Sequence, residues 1–205
     1  MFKDAFIHEV SLLTSDKHCI EKLWLEIEEH YSYANRYYHN LQHLEHLLQQ
    51  LLAVKHLIKD WPIIVLAIAY HDIIYNPLKH DNEQKSAELA VKRLPLLHIS
   101  VEQIAKCQAM ILATKTHELN KLNDINLFTD ADLCILGCPA NQYQPYTNCI
   151  RKEYNFYPDL LYKPGRAKVL QHLLSMEKIF KTDYFYNLYE AKARFNINSE
   201  LAALA

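Results

Sequence analysis

Ile63-Ile64-Val65-Leu66-Ala67-Ile68-Ala69-Tyr70-His71-Asp72-Ile73-Ile74-Tyr75-Asn76 is the stretch on which the fold turns. It is almost wholly apolar and is bracketed by Pro62 and Pro77, so it predicts a buried helix over residues 63–76. An imidazole and a carboxylate, His71 and Asp72, stand side by side in it. An ionised carboxylate is costly to bury unless it is paired or bound to a metal. The dipeptide therefore marks either a metal site or a tight polar network, and the rest of the chain has to supply the partners.

The flanking segments read as further helices. Leu41 to Lys59 is amphipathic, with Leu44, Leu47, Leu48, Leu51, Leu52 and Leu57 at helical spacing. His39, His43 and His46 precede and enter it at i, i+4 and i+7. If the helix starts by Asn40, His43 points with the leucines and His46 reads as facing solvent. Upstream, Phe2 to Leu13 is weakly helical, and Ser15 or Asp16 caps a helix to about His30. Downstream, Asn82 opens a helix to about Leu94, Pro95 breaks the pattern, and Ser100 caps a helix to Thr114 whose early Glu102 suits the dipole. Residues 119–126 read as a polar loop. Leu127 to Leu136 (LFTDADLCIL) reads as a short buried helix ended by Gly137 and Pro139. Helices follow over 141–154, 166–180 and 183–195, with loops at Tyr157-Pro158 and Lys163-Pro164-Gly165 and a short tail helix over 198–205.

Only two glycines occur in 205 residues, and no strand or linker is evident. The reading is an all-α fold, one domain over 1–205, with 1–30 and 198–205 peripheral. A net charge of −2 and no basic stripe argue against a nucleic-acid polymer as partner. No apolar run reaches membrane-spanning length, and the acids inside the N-terminal apolar run do not suit a signal peptide. Five cysteines, an odd number without framework spacing, predict free thiols in a reducing, cytoplasmic setting. Cys134 and Cys138 lack two further ligands nearby and read as ordinary thiols rather than a zinc pair.

Three segments carry chemistry together: YHNLQHLEH at 38–46, YHD at 70–72 and TDAD at 129–132. They place a His, a His-Asp pair and an Asp on three separate helices. Neutral imidazoles and carboxylates of this kind suit first-row divalent ions with positions left open. The bland alternative is a buried His–Asp hydrogen bond that only stabilises the core.

This order resembles the HD superfamily of metal-dependent phosphohydrolases. Residues 31–195 look more closely like a small bacterial group of predicted HD phosphohydrolases, through YHNLQHL at 38–44, HDIIY at 71–75, DNEQKSA at 81–87, ATKTH at 113–117, DADLCILG at 130–137 and YKPGR at 162–166. The resemblance implies an HD-type helical bundle in which His43, His71, Asp72 and Asp132 hold one divalent metal (Mn, Fe, Co, Ni, Zn or Mg). Asp132 is preferred to Asp130 because the ligand in such proteins sits just before the short apolar turn. Asp130 would then cap a helix or orient a ligand from behind. His39 matches a proton-donating His, while Glu83 and His117 would hold a second metal or orient water. Lys115, Arg36, Arg151 and Arg166 are the candidates for neutralising phosphoryl charge, and Asp72 or Asp132 would orient a water whose pKa the metal lowers. The implied substrate is a small phosphorylated molecule, and a homodimer is possible. Two alternatives keep the fold: a di-iron oxygenase, and a metal-holding module without turnover.

Overall fold

The computed structural model describes all of residues 1–205 and is helical throughout, without strands. The α-helices are α1 (Phe2–Ser11), α2 (Lys17–Tyr31), α3 (Leu41–Ala53), α4 (Trp61–Tyr70), α5 (Asn82–Arg93), α6 (Val101–Ala113), α7 (Asn123–Asp132), α8 (Ala140–Glu153), α9 (Asp159–Ser175) and α10 (Asp183–Leu204). Short 3₁₀ turns cover Lys55–Leu57, Leu94–Leu97 and Leu133–Gly137. No helix is long and apolar enough to cross a membrane.

The apolar run forms the central rod, α4. Every residue from Ile63 to Tyr70 is at most 1% exposed, as expected of a helix that is hydrophobic all round. Around it pack α1, α3, α5 and α6, and one hydrophobic cluster of 44 buried residues runs through the molecule. α1 is not peripheral: Phe2, Phe6 and Val10 are buried in that cluster, and the Phe6 ring lies 5.9 Å from Trp24.

α4 stops six residues earlier than its composition predicts, so His71 and Asp72 sit at its end and not within it. Side chains capture the main-chain groups that would continue the ladder. The Ile68 carbonyl accepts from the His71 ring (3.0 Å), and the Asp72 N–H donates to the Tyr31 hydroxyl (3.1 Å). Arg36 donates to the carbonyls of Asp72 (2.7 Å) and Ile73 (2.8 Å).

Other boundaries move for similar reasons. α3 ends at Ala53 and a 3₁₀ turn follows, which leaves Leu57 about half exposed, and Leu52, still inside α3, lies off its buried face. α7 begins at Asn123, inside the stretch read as a loop, because its polar residues are paired. Asn126 bonds both the N–H and the carbonyl of Asn120, and buried Asp124 accepts from the N–H groups of Lys59 and Asp60 and from Lys106. α9 starts at Asp159 and runs through Pro164-Gly165. The carbonyl that Pro164 leaves without a donor belongs to Leu160, which is 83% exposed and can meet water. α10 continues to Leu204 as one helix, since Ile197 is fully buried and Glu200 pairs with Arg166 at 2.7 Å.

The two glycines differ. At Gly137 an added Cβ would fall 2.6 Å from the Tyr189 Cβ and 2.7 Å from its carbonyl oxygen, so glycine lets the 3₁₀ turn after α7 touch α10. Gly165, in α9, has no atom of another element within 4 Å of where a Cβ would stand. We expect Gly137→Ala to cost about 1–3 kcal/mol through overpacking and to lower the melting temperature by roughly 2–12 °C. A variant melting within a degree of the parent would rule out so close an approach.

Candidate metal centre

The centre is assembled from helix ends. His43 lies in the first turn of α3, His71 directly follows α4, and Asp132 is the last residue of α7. His43 points inward because Asn40 caps α3, its side chain accepting from the Gln42 N–H at 2.9 Å, which fixes the register of the leucine face. The His43 Nε2 stands 3.1 Å from the His71 Nε2 and 3.2 Å from the Asp132 Oδ1, and the His71 Nε2 is 3.7 Å from that oxygen. The ligand atoms of these three residues lie within 4.8 Å of one another and could hold a metal ion. The Asp72 Oδ2 lies beside them, 3.2 Å from the His71 Nε2 and 3.8 Å from the His43 Nε2.

The chemistry of this donor set fits a dication. The Ile68 carbonyl can only accept, so the Nδ1 of His71 carries a proton and its Nε2 turns a lone pair toward the cluster. Two carboxylates and two imidazole nitrogens then face one point. Asp72 and Asp132 are both held well below the ordinary carboxylate range, because His71 and the other imidazoles overcome the cost of burial. Burial alone would lower the His71 pKa, but the charges of Asp72 and Asp132 push it up to about 9, while burial holds His43 below its usual value. Without a cation the cluster captures a proton on one ring, so it demands positive charge in either case.

Two further histidines are each fixed by an acid. His117 has left-handed backbone (φ 54°), a conformation costly for a residue with a Cβ, and its Nε2 reaches the Asp132 Oδ2 at 3.1 Å. It backs Asp132 from behind. The Nδ1 of His39 donates to the Glu153 Oε2 at 2.7 Å, leaving its Nε2 4.0 Å from the Asp72 Oδ2. Burial works against charge on His39, yet the Glu153 bond and charge raise its pKa. Glu153 is 2% exposed and also accepts from the N–H groups of Tyr38 and His39 and from the Tyr75 hydroxyl.

Glu153 is the residue the sequence reading passed over. A signal was present: Tyr143, Tyr146, Ile150 and Glu153 share one helical face, so the acid continues an apolar stripe.

The expected phosphate-binding arginines are committed elsewhere. Arg36 is buried and spends its guanidinium on the carbonyls of His39, Asp72 and Ile73. Arg151 binds Asp159 and the carbonyls of Tyr154 and Tyr157. Arg166 lines the cleft but is paired with Glu200 and the Tyr146 hydroxyl. Asp130 is fully buried and faces away from the cluster, accepting from the N–H groups of Lys181 and Thr182, the Thr182 hydroxyl and the Lys181 ammonium. It ties down the chain just before α10, does not cap its own helix, and orients no ligand. Lys115 is exposed at the rim, where it donates to the His80 carbonyl at 3.0 Å, and Glu83 lines the same cleft without touching the cluster. All five cysteines are free thiols.

Two cavities meet at His43 and Asp132. One, of about 640 Å³, opens onto His39, Asp72, Lys115 and His117. The other, of about 610 Å³, holds carboxamides, tyrosines and Cys134, Cys138 and Cys149, with no Lys or Arg. The T-shaped pair Tyr38–Tyr146, with centroids 4.7 Å apart, borders both.

Comparison of this chain with family models, curated proteins and solved structures finds no match.

The Glu153 pKa sits at about 2 against an ordinary 4.5, because His39 and the N–H donors outweigh burial. A depressed carboxylate stabilises the fold above its unfolded pKa and ceases to do so as pH falls through the folded one. Glu153→Gln should therefore be less stable at pH 7 by on the order of 3 kcal/mol, and the gap should narrow below about pH 4.5. Urea midpoints at pH 7, 5, 4 and 3 test this, and a gap constant over that range would contradict it.

Proposed function

We propose that the chain is a metal-dependent phosphohydrolase of HD type, acting on a small phosphorylated molecule. The observation that carries this is the convergence of donor atoms from His43, His71, Asp72 and Asp132 at the floor of a cleft with a basic rim. When bound, the dication would acidify a water and polarise a phosphoryl oxygen.

The chain's own residues do the rest. Asp72 and Asp132, held ionised, fix the charge at the floor, and His117 keeps Asp132 from rotating away. His39 turns its Nε2 toward Asp72, and Glu153 holds the ring in that orientation and favours its charged form, which has a proton at Nε2 to give to a leaving oxygen. Lys79 and Lys115 bring positive charge to the rim where phosphoryl oxygens would lie. A second metal or a di-iron centre has less support. His117 is engaged with Asp132, and one group of side chains has ligand spacing.

A panel of phosphomonoesters and phosphodiesters with Mn²⁺, Co²⁺, Ni²⁺ or Mg²⁺ tests the reading. At least one ester should turn over, chelation should abolish the activity, and Asp72→Ala, which removes a donor outright, should lower it by more than the roughly 100-fold that losing a group behind a metal ligand costs at most. Wild type and Asp72→Ala equally silent on every substrate, with bound metal present in the wild type, would favour a module without turnover.

A further inference from the structure

The larger cavity has two unlike walls. Lys79, His80, Glu83, Lys115 and His117, from the start of α5, the segment before it and the segment after α6, make a polar, charged side on which two lysines face one acid. Opposite, α8, α9 and the turn between them present Ile150, Tyr154, Tyr157, Leu161, Tyr162 and Val169. Leu161 and Val169 are more than half exposed, although they line a concave space next to the metal cluster. An exposed apolar wall facing a charged one is a cost unless something amphiphilic covers it.

Gly165 lies on that wall, between Tyr162 and Val169 on the cavity face of α9. Glycine inside a helix is destabilising relative to alanine. At Gly137 close contact with α10 explains the glycine; at Gly165 neither a contact nor a positive φ does. What its missing side chain preserves is room on the cavity side, where a flat group can lie against the helix backbone.

We infer that the α9 face around Gly165 seats an aromatic or similarly flat apolar group of the substrate, so that the preferred class is aryl phosphate monoesters over small hydrophilic phosphates. The inference rests on the phosphohydrolase reading. The phosphoryl group sits between the metal cluster and the basic rim, and the ring lies along Tyr162, Gly165 and Val169.

Calorimetric titration of the Mn²⁺-loaded protein with two non-hydrolysable probes, 1-naphthylphosphonate and methylphosphonate, tests it. Wild type should prefer the naphthyl probe by about 10-fold or more, the scale of one well-buried apolar group. In Gly165→Leu, which fills the seat, that preference should fall below about twofold. Gly165→Ala, with a partial loss of preference, should melt about 1–4 °C above the parent, so weaker binding cannot be put down to misfolding. Equal affinity of wild type for the two probes, or a preference that survives Gly165→Leu, overturns the aryl seat and leaves the phosphohydrolase reading standing. Binding of neither probe overturns both.

Discussion

The whole arrangement rests on the charge gathered where three helix ends meet. Two carboxylates and two imidazole lone pairs turned toward one point, next to a fully apolar rod, are unstable together unless a positive charge joins them. Without a cation, the charges of Asp72 and Asp132 raise the His71 pKa and favour a proton on that ring. A dication would meet the demand better, satisfying all the donors at once. Placing the cluster at helix ends keeps the cost low. The core of α4 remains purely apolar, and only the residues past its last turn have to be polar.

Arg36 makes that placement rigid. It joins the loop before α3 to the chain just after α4 by donating to the carbonyls of His39, Asp72 and Ile73, with its plane near the rings of Tyr31 and Tyr75. A guanidinium suits this work because its donors form a fixed fork. One residue thus sets the relative position of His39 and the His71-Asp72 pair, and, buried with Nη1 and Nη2 turned to carbonyls, it is not placed to take a phosphate. Arg151 and Arg166 are used in the same way, each bracing a turn or helix of the α8–α10 region.

What could be read from the sequence, and what could not, follows from the range of the forces involved. The all-helical character and most helix cores were legible, because the leucine stripe of α3 and the apolar run of α4 are local patterns. The meeting of His43, His71 and Asp132 was legible only because the motifs stood in a familiar order, since spacing alone does not say that separate helix ends converge. The boundaries of α4 and α7 were not legible. They depend on side chains distant in sequence, such as Tyr31, Arg36 and Lys106, that satisfy main-chain or buried polar groups. The arginines were misjudged for the same reason: a lone Arg carries no local mark of whether it will face a cleft or a carbonyl.

The two histidines flanking the cluster show how partners divide roles between like residues. His117 spends its Nε2 on Asp132, so it can steer that carboxylate. His39 spends its Nδ1 on Glu153, which accepts from two main-chain N–H groups and a tyrosine and so cannot swing away. Its Nε2 is left facing Asp72, and the neighbouring acid favours the protonated ring. The difference lies in which nitrogen is tied: a ring held by its far nitrogen can act on what enters the cleft, and a ring held by its near one can only support what is already there.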